Sequence, residues 1–151
     1  QVMLEQGVFW WASNRRFLRI ARLTGLEHWQ AAEHRPVIFL APHFVGLDWA
    51  GVRLAEFKVL ASVYSRQKNT LLDRMLLQGR SRFNRSLLFS RQAGLRGVVK
   101  ALRRNIPFYY LPDLDFGRRN AVFVPFFGVS AAMVTGLSRL GRLADASPFS
   151  D

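Results

Sequence analysis

A chain of 151 residues allows one domain, or part of a larger one. Half of its residues are hydrophobic, 21% are charged and none is cysteine. This excludes intrinsic disorder as the dominant state, along with disulfide scaffolds, thiol catalysis and cysteine-held metal centres, while a net charge of +12 asks for a polyanionic partner.

In chain order, Val8 to Leu26 reads as a helix with Arg15, Arg16, Arg19 and Arg22 on a wet face, opposite Phe17, Leu18, Ile20 and Leu23. Pro36 to Ala41 is a short continuous apolar run, the pattern of a buried parallel strand. A helix over Asp48–Phe57, a strand over Leu60–Tyr64, a helix over Thr70–Phe83 and a strand over Ser86–Ser90 follow. Next come a helix over Leu95–Arg104 and a strand over Pro107–Leu111. The uncharged stretch Ala121–Ser138 is long enough to raise the question of a membrane span, but Pro125, Gly128, Ser130 and Thr135 interrupt it. It reads instead as a strand over Val122–Phe127, a turn, and the start of a helix over Ala131–Ala144. Strands alternating with helices predict an α/β fold, a mostly parallel sheet flanked by helices. The residues after the last helix do not supply the strand expected there, so the sheet is expected to be incomplete.

The segment Ala41-Pro42-His43-Phe44-Val45-Gly46-Leu47-Asp48 carries the chemistry. His43 falls just past the end of a buried strand, where open α/β sheets bind ligands. Asp48 follows five residues later across Gly46, a spacing at which it can orient one imidazole nitrogen and leave the other to act as a base. A structural histidine beside a helix cap has the same spacing. There is no G-x-S-x-G elbow, P-loop or G-x-G-x-x-G, so serine-nucleophile, nucleotide and dinucleotide chemistry have no support. His28 and His34 read as surface or packing residues, and no metal site is expected. Asp113-Leu114-Asp115, with Arg118 and Arg119 behind it, is placed on the same rim as His43, where arginines can hold phosphate bidentately or pair with the loop's own acids. Arg80, Arg82, Arg85 and Arg91, with Arg66 and Lys68 upstream and Phe83 and Phe89 between, form a third basic and aromatic cluster.

The run Tyr109-Tyr110-Leu111-Pro112-Asp113-Leu114-Asp115-Phe116-Gly117, followed by Val122-Phe123-Val124-Pro125-Phe126-Phe127-Gly128, resembles the late lipid A acyltransferases of lauroyl and myristoyl type. His43-x4-Asp48 is similar to the motif of the glycerolipid acyltransferase superfamily, and Ser62–Asn69 and Gly79–Asn84 fit the segments between. The resemblance covers roughly residues 15 to 146 and places 1–151 in a single acyltransferase-like domain. It implies acyl transfer from acyl carrier protein, or coenzyme A, to a hydroxyl of a phosphorylated glycolipid acceptor at the cytoplasmic face of the inner membrane, without a cofactor.

In that reading His43 is the general base and Asp48 its orienting partner. Arg66, Arg82, Asp113, Asp115, Arg118 and Arg119 serve the acceptor side. The chain is expected to be a fragment, its family's N-terminal anchor and C-terminal portion lying outside it. It is expected to associate peripherally with anionic membrane rather than with nucleic acid. A glycerolipid or lysophospholipid acyltransferase, or a non-catalytic basic fragment binding lipid or nucleic acid, remains the alternative.

Overall fold

The computed structural model describes residues 2–82, 86–113 and 121–144. Three short helices come first, α1 (Val2–Trp11), α2 (Asn14–Ile20) and α3 (Leu26–Ala32). The single helix expected over Val8–Leu26 is thus broken twice. Ser13 caps a new helix by accepting the Arg16 amide at 3.3 Å, and Gly25, at φ 79°, turns the chain into α3 through a left-handed conformation that suits glycine. Phe9, Phe17 and Trp29, one from each helix, are all buried.

The remaining elements are β1 (Ile38–Leu40), α4 (Leu47–Ala55), β2 (Ala61–Tyr64), α5 (Thr70–Arg80), β3 (Leu87–Ser90), α6 (Arg96–Leu102), β4 (Phe108–Tyr110), β5 (Ala121–Phe126), β6 (Val129–Val134) and α7 (Gly136–Ala144). Strands β1 to β4 form one sheet in the order β1-β4-β2-β3, every pairing parallel. The α/β architecture with a helix-flanked parallel sheet is therefore the one expected. Strand alternation sends Ile38, Ala61 and Phe108 to one face, where they pack with Val98, Ala101 and Leu102 of α6 and with Leu140 and Ala144 of α7. The opposite face carries Phe39 against Trp29 and Leu54, while Phe9, Phe17 and Val52 make a third cluster between the first helices and α4. Each fully buried phenylalanine contributes about 1.5–3 kcal/mol relative to exposure.

The stretch after residue 120 differs from expectation. β5 does not join the parallel sheet, and residues 129–134 are strand rather than helix. The two pair antiparallel from Ala121↔Val134 to Phe126↔Val129. Phe127 and Gly128 form the loop between them at φ 49° and 78°. Positive φ at both loop residues matches the twist of a two-residue hairpin, so the Gly that interrupts an apolar stretch closes a β-hairpin. Among the described residues, no helix is long and apolar enough to cross a membrane.

Candidate active site

Because all four strands of the main sheet run parallel, their C-terminal ends share one rim. β1 and β4 are neighbours there, with Ile38 opposite Phe108 and Leu40 opposite Tyr110. The pairing continues past the strands through the Ala41 amide, which donates to the Tyr110 carbonyl at 2.8 Å. Two residues further on, the same offset sets His43 beside Asp113. The His43 backbone amide donates to Asp113 Oδ2 at 2.6 Å, and Nδ1 lies 2.7 Å from Oδ1. Both side chains are reachable from solvent, at 40% and 35% exposure.

The orienting partner expected from sequence is therefore corrected: the carboxylate at Nδ1 is Asp113, not Asp48. Asp48 sits in the first turn of α4 and accepts from Arg80 Nε of α5 at 2.9 Å, both side chains half-buried or better. Gly46, at φ 92°, starts α4 so abruptly that the first helical turn faces α5, which explains why five residues along the chain do not bring the two side chains together.

Electrostatics fix the hydrogens. Partial burial pushes the Asp113 carboxyl up, but hydrogen bonds from the His43 amide and imidazole, from its own backbone, and the attraction of the imidazole outweigh this and hold it below the usual carboxylate range. An ionised carboxylate only accepts hydrogen bonds, so the contact requires a hydrogen on Nδ1, and in the neutral ring that arrangement puts the lone pair on Nε2. A histidine so held on an accessible rim can take a proton from a hydroxyl.

Tyr109, the neighbour of that pair on β4, is not a rival base. Its hydroxyl donates to the Leu47 carbonyl at 3.1 Å, and burial with the nearby Asp48 charge pushes its pKa up to about 12. It lines a cavity of about 70 Å³ together with Asp48, Gly51, Ser62, Arg80 and Leu88. His43 stands outside that lining, on the open rim.

The other candidates separate. Arg66 is exposed on the rim after β2, 4.0 Å from the buried Asp73. Arg82, expected on the acceptor side, is corrected to a structural role: it donates to the Phe9 carbonyl at 2.7 Å, to Asn14 Oδ1 at 3.0 Å and to the Ala12 carbonyl, and lies 5.1 Å over the Phe17 ring. Its guanidinium holds the corner between α1 and α2. Arg82→Ala is accordingly expected to lower stability by about 1–3 kcal/mol, since it leaves carbonyls without their donor, and to show as an earlier urea midpoint.

Arg80 belongs to Asp48, as described above. Asp115, Arg118 and Arg119, like Phe83 and Arg85, lie outside the described residues. His28 and His34 are exposed and stand 3.8 and 4.0 Å from Glu27 and Glu33. No cluster of three or more His, Cys, Asp or Glu that would hold a metal occurs among the described residues.

Sequence reasoning missed the pairing of Asp113 with His43, although a signal existed. Leu40-Ala41-Pro42-His43 and Tyr110-Leu111-Pro112-Asp113 are parallel strand exits of identical length, each with proline just before the polar residue. Two exits of that kind from neighbouring strands bring their polar residues face to face.

The sequence matches the family model described as bacterial lipid A biosynthesis acyltransferase over residues 1–147. It is 34% identical over 133 residues to a lipid A biosynthesis acyltransferase of Haemophilus influenzae, covering 88% of this chain and 42% of that protein. Against the lipid A biosynthesis lauroyltransferase of Escherichia coli it is 33% identical over 147 residues, 95% of this chain and 47% of the relative. The palmitoleoyltransferase of the same organism is 28% identical over 148 residues, 96% and 48% of the two chains. The chain thus spans about half the length of the relatives it matches.

Proposed function

Because the chain belongs to the bacterial lipid A biosynthesis acyltransferase family, we propose that it transfers a fatty acyl group from a thioester to a hydroxyl of a lipid A precursor, with His43 as general base. The observation that carries the assignment is the 2.7 Å contact of Asp113 with Nδ1, which leaves Nε2 as the acceptor on the rim. In the proposed step Nε2 removes the proton as the hydroxyl oxygen bonds to the thioester carbon. The tetrahedral oxyanion then collapses, the carbon–sulfur bond breaks, and the imidazolium returns the proton to the departing thiolate. Ester and thiol are the products, and no enzyme nucleophile is required. Asp113 stabilises the imidazolium between the two steps. Asp48 takes no part in the proton transfer in this reading; it ties α4 to α5.

The donor is an acyl group on acyl carrier protein, with coenzyme A as the alternative carrier. The acceptor is a phosphorylated glycolipid, to which Arg66, Arg118 and Arg119 offer charge and Asp115 a further polar contact. The protein works peripherally on the cytoplasmic face of the inner membrane. Supporting this are the +12 charge and the apolar residues beside the base, Phe44 at 74% and Val45 at 70% exposure. Phe127 at the hairpin turn, 93% exposed, adds an aromatic side chain suited to a lipid interface.

The test is acyl transfer from an acyl carrier protein thioester, compared across a phosphorylated disaccharide precursor, its dephosphorylated form and a lysophospholipid. Transfer to the phosphorylated disaccharide is expected. Removing phosphate is expected to raise KM about 10–100-fold, the worth of one or two charge-assisted hydrogen bonds. Acylation of the lysophospholipid alone would overturn the acceptor assignment.

A further inference from the structure

The charge on this molecule is unevenly placed. Between residues 91 and 112 and between 121 and 144 there is no Asp or Glu, yet these segments carry Arg91, Arg96, Lys100, Arg103, Arg104, Arg139 and Arg142. They build α6 and α7, which pack side by side on one face of the sheet. Between the two helices runs a cleft of about 380 Å³ whose apolar floor is Leu95, Val99 and Leu143. Leu95 and Leu143 are 37% and 49% exposed, so the floor is open to a partner. Arg96, Lys100 and Arg104 rim it, and Arg103 spans it by donating from Nη2 to the Leu143 carbonyl at 2.9 Å.

An apolar trough with a cationic rim has one complementary shape and charge: an amphipathic helix whose apolar side chains enter the trough and whose carboxylates meet the rim. A bilayer is flat and fits the exposed hairpin better than a concave seam. Position also favours a donor. α6 begins just after β3, so its Arg96 end lies at the same sheet rim as His43, because all strands of the sheet are parallel. We infer that the α6–α7 cleft docks an acidic helix of the protein that carries the acyl thioester. This rests on the acyl-transfer reading above for the identity of the partner, while the docking itself stands on the cleft.

The experiment uses the whole chain and the double charge reversal K100E/R104E, which spares Arg103 because that residue joins the two helices. Binding of acyl carrier protein is measured by anisotropy at two salt concentrations, and turnover is compared between the carrier thioester and a neutral acyl-pantetheine thioester. The reversal is expected to weaken carrier binding by roughly tenfold or more and to flatten its salt dependence. KM for the carrier thioester should rise in step, while turnover of the pantetheine thioester stays within about twofold because a small neutral donor brings no acidic helix for the rim to attract. If K100E/R104E loses its native thermal transition, the neutral pair K100Q/R104Q serves, with a smaller loss in the same direction.

Carrier binding unchanged by either pair would overturn the inference. So would carrier binding that persists while binding to phosphatidylglycerol vesicles is lost, which would make the cleft a lipid contact. Should no thioester be turned over by the unaltered chain while K100E/R104E still abolishes carrier binding, the acyl-transfer reading fails and the docking surface stands.

Discussion

His43→Ala is expected to lower kcat for acyl transfer about 10²–10⁴-fold, the usual contribution of a positioned general base. The substitution removes the imidazole that Asp113 contacts on the solvent-accessible rim. KM for donor and acceptor should change little, since a base that acts on the hydroxyl proton stabilises the transition state more than the bound substrates. Anisotropy with acyl carrier protein and vesicle co-sedimentation should match the unaltered chain. Steady-state transfer of a labelled acyl group gives the readout. Turnover within a few-fold of the parent would take His43 out of the mechanism, and a loss of lipid binding alongside would move it to a structural role.

The second large effect separates Asp48, the orienting partner expected from sequence, from Asp113, the carboxylate that stands at Nδ1. Asp113→Asn turns an acceptor-only group into an amide whose NH₂ can donate to Nδ1. That favours the tautomer with hydrogen on Nε2, which has no lone pair to act as a base. In a fully enclosed triad such a swap costs about 10⁴ in kcat. Here Asp113 is 35% exposed and water can partly replace it, so the expected loss is about 10²-fold.

Asp48→Asn should instead leave kcat within several-fold. It should lower stability by about 1–3 kcal/mol through the half-buried Arg80 that it leaves poorly paired, a fall of roughly 2–10 °C in Tm for a chain of this size. The opposite result, an inactive Asp48→Asn with an active Asp113→Asn, would restore the pairing suggested by sequence spacing.

Acid adds an independent check. The folded-state pKa of Asp113 lies below its unfolded value, so its contribution is present above the usual carboxylate range and is lost as pH falls through the folded value. The stability difference between the parent and Asp113→Asn should therefore shrink toward acid pH. A difference that grows toward acid would mean that the carboxyl is protonated in the native state.

Much of this protein was legible in one dimension. The apolar run Val37 to Ala41, and further strand segments such as Leu60 to Tyr64 separated by helical periodicity, point to a parallel sheet, because strands covered on both faces are apolar without alternation. His43 after the first strand marked the rim, and the ordered motifs from His43 to Gly128 marked the family. Two errors came from local ambiguity. The apolar and small residues Val129 to Val134 suit either a helix or a strand, and the hairpin was decided by the backbone that Phe127 and Gly128 adopt between β5 and β6. The first helix was overextended because Ser13 and Gly25 are weak interruptions until their caps form.

The sequence by itself determined the fold class, the surplus of positive charge and the place of His43 at the exit of the first strand. Which acid stands at that imidazole was decided only in three dimensions. Asp48 is close to His43 along the chain, but the start of α4 turns it toward Arg80. Asp113 is 70 residues away, yet the parallel register of β1 and β4, carried through Ala41 and Tyr110, delivers it to Nδ1. Strand pairing is set by the burial of two hydrophobic faces over the whole sheet, and no local spacing encodes which strand becomes the neighbour.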